Sequence, residues 1–134
     1  MPESSIETTI IDLEQRALER WAHGDPDGFL NLSDNSVTYF DPFVAQRIDG
    51  LAGLRVLYEG IRGKVQLDHV ELLHPRVQVC GDVAVLTFQF DGSGSDGGVL
   101  WNTTEVYRRF GESWKIVHTH WALHQAAPPA PPEK

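Results

Sequence analysis

From Lys64 onward the chain offers strand after strand and no helical period. That half of the molecule has to become a sheet. Val65 to Val79 reads as one long strand bent near His74-Pro75, and Val83 to Asp91 follows the Gly81-Asp82 turn. The run from Gly92 to Gly98 is a hairpin loop, and residues 101–121 read as two long strands around a tight turn. Strand side chains alternate between faces, so Trp101, Thr103, Glu105 and Tyr107 share one face. Glu105 is a lone carboxylate among aromatic neighbours there. Burying it is costly unless a partner or a proton neutralises it.

The first half is helical. Ile6, Ile10, Leu13, Ala17 and Trp21 recur at helical spacing, Ser4 and Glu7 form a capping box, and Gly24 ends the helix. Asp25-Pro26 restarts a short helix, with Asp25 as N-cap, that carries Phe29 and Leu30 inward. Ser36 to Phe40 reads as a strand broken by Pro42. Asp49-Gly50 opens a third helix bearing Leu51, Leu54, Leu57 and Tyr58, ending near Gly60. Helices followed by antiparallel strands predict a cone-shaped α+β domain. Its long N-terminal helix, residues 5–23, lies across a strongly curved antiparallel sheet built from residues 64–124. Such a cone encloses a natural ligand cavity. The domain is expected over residues 1–125, with a proline-rich tail at 126–134.

Composition narrows the function. A net charge of −8 argues against nucleic acid, which needs a cationic face. The single cysteine, Cys80, excludes an internal disulfide and a thiolate metal cage, and reads as a small core or strand-end residue. No apolar run approaches the roughly 20 residues of a membrane span, and the N-terminus has no signal-peptide pattern. A soluble, cytoplasmic protein without membrane contact is expected.

Asp41 sits among Tyr39, Phe43 and Tyr58, which suits a general base in an apolar pocket. The same aspartate before Pro42 also suits a turn that bonds its own backbone. Glu105 could be a second acid–base group sharing that cavity, so that the two carboxyl pKa values are pushed apart. Alternatively it pairs with Arg47, Arg108 or Arg109. His118 and His120 share a strand face but lack third and fourth ligands, so no metal site is expected. Trp101 and Trp121 are the tryptophans placed for ligand contact. There is no phosphate loop and no nucleophile triad, so no cofactor is implied.

Three segments carry a family resemblance: Thr38-Tyr39-Phe40-Asp41-Pro42 followed by Asp49-Gly50-Leu51, then Leu73-His74-Pro75 through Gly81-Asp82, then Glu105 to Arg109 with Trp114 to His120. Over about residues 5–125 the chain resembles the nuclear transport factor 2-like superfamily, of cystatin-like fold. That group includes SnoaL-like polyketide cyclases, ketosteroid isomerases and the association domain of calcium/calmodulin-dependent protein kinase II. The isomerase resemblance implies a general base at Asp41 and a protonated oxyanion donor at Glu105. The tyrosine those enzymes place on the first helix corresponds to Ala17. The kinase-domain resemblance implies pocket positions at Gln89, Glu105 and Trp121, none of them cationic. Together these readings imply a protein that binds a small apolar molecule, lined by Tyr39, Phe43, Tyr58, Gln89, Trp101, Thr103, Tyr107 and Trp121. They extend to a cofactor-independent isomerase or cyclase using Asp41 and Glu105. The alternative is a non-catalytic association module. The apolar surface of the last strands predicts a homodimer through the sheet.

Overall fold

The computed structural model describes residues 3–94 and 97–124; the proline-rich tail expected at 126–134 lies outside the described residues. Helix α1 spans Glu3–Ala22, α2 Asp27–Leu32 and α3 Leu51–Ile61. The strands are β1 (Ser33–Phe40), β2 (Ile48–Asp49), β3 (His69–Cys80), β4 (Val83–Gly94), β5 (Gly97–Phe110) and β6 (Ser113–Leu123). They form one curved, open sheet in the order β2-β1-β6-β5-β4-β3. The α+β plan, the long first helix and the strand-rich second half are as the sequence implies.

Three details differ. The sheet is not wholly antiparallel: β1 runs parallel to β6, with Tyr39 opposite Thr119 and Phe40 opposite His120. Periodicity identifies a strand but not its partner, so this pairing leaves no local mark. Helix α1 begins at Glu3, which puts Ser4 inside its first turn and not at the cap. The short helix takes Pro26 as its N-cap, although Asp25 Oδ1 still accepts from the Asp27 N–H at 2.9 Å.

The β3 bend is where the sequence puts it. His74 has φ 54°, and the β3–β4 register shifts between Leu73 and Arg76. Cys80 closes β3 and is exposed, so it is a strand-end residue and not a core one. On β4 the inward positions are Ala84, Leu86, Phe88 and Phe90; on β5 they are Thr103, Glu105 and Tyr107. Helix α1 lays Ile6, Ile10, Leu18 and Ala22 against this surface. Its C-terminus turns at Gly24, whose φ of 81° is open to glycine at little cost. The turn meets the segment after α3, where the Gly63 N–H donates to the Gly24 carbonyl at 2.8 Å.

The helix is also fixed to the sheet by a buried polar contact. Tyr107 Oη donates to Glu14 Oε1 at 2.6 Å, and Glu14, Glu105 and Tyr107 are fully buried. Glu105 faces the Glu14 carboxyl and the Thr119 hydroxyl. Both Glu105 oxygens and the second Glu14 oxygen are sealed without a well-aligned hydrogen-bond partner. Burial pushes the Glu105 carboxyl well above its ordinary value, and the Glu14 charge beside it adds to the rise. Burial raises Glu14 as well, while interactions with Glu105 and Tyr107 pull it back. The consistent assignment is a protonated Glu105 beside a Glu14 that accepts, because two bare carboxylates cannot share a dry site.

Two stability predictions follow from this packing. A carboxyl raised in the folded state binds its proton more tightly there than in the unfolded chain. Its contribution is full below the unfolded value of about 4.5 and is lost as pH rises toward the folded value. The melting temperature is therefore expected to fall between about pH 5 and pH 8. Glu105→Gln, which keeps shape and a donor but carries no charge, should flatten that slope and melt higher than the native chain at pH 8. A native chain whose melting point does not fall over this range would disprove the protonated assignment. At Gly24, an added Cβ would lie 2.9 Å from Gly63 Cα and 3.2 Å from the Val65 carbonyl oxygen. Gly24→Ala should cost about 1–3 kcal/mol through its backbone conformation, with the clash in addition. Gly63→Ala, at φ 79° but in open space, should cost only the former. Chemical denaturation of the two variants checks the ranking.

Candidate functional site

Strand β1 ends at Phe40, and the chain turns at once through Asp41-Pro42. Asp41 Oδ1 accepts from the backbone N–H groups of Phe43 (2.7 Å) and Val44 (3.0 Å), which is the turn expected of an aspartate before proline. Its Oδ2 accepts from Tyr39 Oη at 2.8 Å. The turn reading of Asp41 is met, and the same turn sets the residue on the lining of a cavity.

That cavity has a volume of about 640 Å³. Tyr39, Asp41, Phe43, Tyr58, Trp101 and Trp121 all line it, so six of the residues singled out in the sequence converge. Their rings meet edge to face. Tyr39 and Tyr58 have centroids 5.6 Å apart at 89°, Trp101 and Trp121 5.8 Å at 85°, and Phe43 and Trp101 6.3 Å at 76°. Trp21 from α1 and Phe29 from α2 complete the aromatic wall, Trp21 lying 5.0 Å from Tyr58 and Phe29 6.3 Å from Trp121. The α3-to-β3 connection, Lys64 to Leu67, lines another part of it. Burial raises the pKa of the Tyr39 and Tyr58 hydroxyls, so both remain proton-bearing donors at neutral pH. Each lies close enough to the other to affect its ionisation.

The other four predicted residues lie elsewhere. Gln89 is on the opposite face of the sheet, where its Nε2 donates to Asn102 Oδ1 at 3.0 Å. It alternates with Phe88 and Phe90, which point inward, so strand parity excludes it from the cavity. Thr103, Glu105 and Tyr107 do face inward but do not line the cavity. Strand β5 runs from Trp101, at the cavity, to Tyr107, in the closed core beneath α1. Asp41 and Glu105 therefore do not share one cavity, and the carboxyl that faces Glu105 is Glu14. None of the three arginines considered for Glu105 reaches it: Arg47 bonds Asp49, Arg109 bonds Asp82, and Arg108 lies over the Phe110 ring. Tyr58 links the two regions, since it lines the cavity while its hydroxyl lies close enough to the buried acids Glu14 and Glu105 to be affected by them.

Glu14 was the residue to find. It interrupts the row Ile6, Ile10, Leu18, Ala22, in which every other member is apolar and spaced by four. A charged residue in the middle of a buried stripe is the signal of a required polar partner across the interface.

The histidines sit outside the cavity. The β5–β6 register shifts at Val117, with Val106 opposite His118 and Tyr107 opposite Ile116. This bulge keeps Ile116, Thr119 and Trp121 inward and sends His118 and His120 to the outer face. There His118 Nδ1 is 2.7 Å from Thr38 Oγ1, and the Phe40 ring lies 5.9 Å from His118 and 5.4 Å from His120. Burial and the neighbouring His120 lower the pKa of His118. His69, which has no evident partner in sequence, lies beside Glu71 and Asp91, with ligand-type atoms within 4.8 Å of one another on the exposed rim of β3 and β4. Among the described residues no helix is long and apolar enough to cross a membrane.

Residues 6–125 match the family model of the calcium/calmodulin dependent protein kinase II association domain. The chain is 27% identical over 131 residues to the delta subunit of calcium/calmodulin-dependent protein kinase type II of Oryctolagus cuniculus. That match takes in 92% of this chain and 25% of the relative, so the chain spans about a quarter of that protein's length. A Parabacteroides distasonis protein provisionally named a ketosteroid isomerase superposes with a TM-score of 0.79 at 45% identity, covering 87% of this chain and 86% of that one. A nuclear transport factor 2-like protein of unknown function from Pseudomonas putida gives a TM-score of 0.79 at 23% identity, covering 89% and 87%. This chain belongs to the calcium/calmodulin dependent protein kinase II association domain family, and it shares its fold with nuclear transport factor 2-like proteins.

Proposed function

We propose that this chain is a small-molecule-binding protein whose aromatic cavity takes a compact, largely apolar molecule and offers it one carboxylate, Asp41. The observation that carries this reading is a carboxylate held by three donors at the wall of a ring-lined cavity. A binding site of this size and lining is the usual home of a small ligand. Bonds made to Asp41 there are stronger than in open water, because a bound molecule excludes solvent. For a ligand with an acidic C–H beside a carbonyl, Asp41 is the proton acceptor and Tyr58 the donor nearest a developing oxyanion, with no cofactor in the step. The 45% identity to the protein named as a ketosteroid isomerase supports that extension. Glu105 acts in this reading through Tyr58 and not on the ligand.

A second reading is supported by the family itself and by the outer face of the sheet. Phe40 is 37% exposed there, between His118 and His120. Self-association as a homodimer through this face leaves the cavity on the opposite side, so the two readings are compatible.

The neutral fluorophore N-phenyl-1-naphthylamine tests the first reading. Wild type should bind it with quenching of tryptophan emission, and Trp101→Ala should weaken binding by about tenfold, the scale of a lost ring contact. Unchanged binding in that variant would place the probe elsewhere and remove the cavity reading. Sedimentation tests the second. Wild type should be dimeric at micromolar concentration, and Phe40→Glu should dissociate it while leaving probe binding within about threefold, since apolar interface residues carry most of such contacts. A wild-type monomer at high micromolar concentration rejects it.

A further inference from the structure

The charge of the cavity selects a ligand class. Eight of its eighteen lining residues are aromatic, and only two, Asp41 and Lys64, carry charge. Lys64 is exposed on the connection after α3, whereas Asp41 is partly buried and fixed by its three donors. All three donors are neutral, and among the described residues no cation forms an ion pair with Asp41. Arg47, six residues on, is committed to Asp49. The carboxylate therefore presents an uncompensated negative charge beside apolar walls, and Oδ2 has capacity for a further donor.

Rings that line the same cavity add to that field. Phe43 lies two residues along the same turn, and its own N–H is bonded to Asp41. Its ring meets Trp101 at 76°, and Trp101 meets Trp121 at 85°. Rings set at right angles form a corner that presents at least one negative π-face to whatever sits between them. A carboxylate next to such a corner attracts an organic ammonium group and repels an anion. The net charge of −8 favours the approach of cations over a longer range.

We propose that the cavity binds an organic cation: a molecule with a flat or cyclic apolar body and a tertiary or quaternary ammonium group, the ammonium seated between Asp41 and the Phe43–Trp101 corner. The inference rests on the reading of the cavity as a small-molecule site, and it adds the sign of the ligand's charge.

Calorimetric titration with three matched probes tests it. They are (2-naphthylmethyl)trimethylammonium, its neutral isostere 2-neopentylnaphthalene, and 2-naphthylacetate. The ammonium probe should bind about tenfold tighter than the isostere, and naphthylacetate weakest. Asp41→Asn keeps an acceptor for the Phe43 and Val44 N–H groups and should reduce the preference for ammonium over isostere to under about threefold. Trp101→Leu keeps the carboxylate and removes a π-face, and should lower the same ratio several-fold; it decides the matter should Asp41→Asn not fold. Equal binding of ammonium and isostere would overturn the cation inference while leaving the small-molecule reading in place. Tightest binding of naphthylacetate would overturn it in favour of Lys64. No binding of any probe would overturn both.

Discussion

A carboxyl group carried into an apolar core has to be answered by something, and here it is answered by a second carboxyl. Glu105 comes from the sheet and Glu14 from the helix, and the Tyr107 hydroxyl closes the contact at 2.6 Å. This buried polar contact decides how the helix sits. Slide α1 by one residue and Glu14 rotates about 100° away, leaving Tyr107 without its acceptor and Glu105 with only Thr119. Apolar packing alone is tolerant of such shifts, since one aliphatic contact resembles another. The acid pair is not. It fixes the register of the helix over β5, and that places Trp21 on the cavity wall beside Tyr58.

The cavity depends on this contact at one remove. Tyr58 has the buried acids behind it and the cavity in front, so the closed and open parts of the interior share a wall. Along β5 the inward residues pass from Trp101 at the cavity to Tyr107 in the sealed core. The polar groups are divided between these regions: Asp41 at the cavity, the Glu14–Glu105 pair behind it. Keeping them apart leaves Asp41 with no second carboxyl facing it.

Much of this was legible in the residues. The helices, the bend at His74-Pro75, the turn glycines and the inward face of β5 all follow from periodicity and local stereochemistry. The clustering of Tyr39, Asp41, Phe43 and Tyr58 followed from their position around one turn and the helix after it. What escaped has a physical reason in each case. Ser33-Asp34-Asn35 carries turn chemistry, with Asp34 bonded to the Ser36 N–H and hydroxyl, yet β1 already begins at Ser33. Strand β2 is two residues long, too short to show a period. Gln89 was drawn toward the cavity by family likeness, against the parity set by Phe88 and Phe90. The carboxyl opposite Glu105 was sought at Asp41, when the polar break in the first helix at Glu14 pointed to the true partner.

The parallel pairing of β1 with β6 has a consequence in time. Asp41 is positioned by a strand whose neighbour lies some eighty residues further along the chain, as the contact of Thr38 with His118 makes plain. Such a closure costs more chain entropy than the local hairpins among β3, β4, β5 and β6. During synthesis β6 has to emerge before β1 has more than β2 and α3 to lie against. The first strand has only the two-residue β2 beside it until the last arrives, and the site is complete only when the two ends of the fold meet.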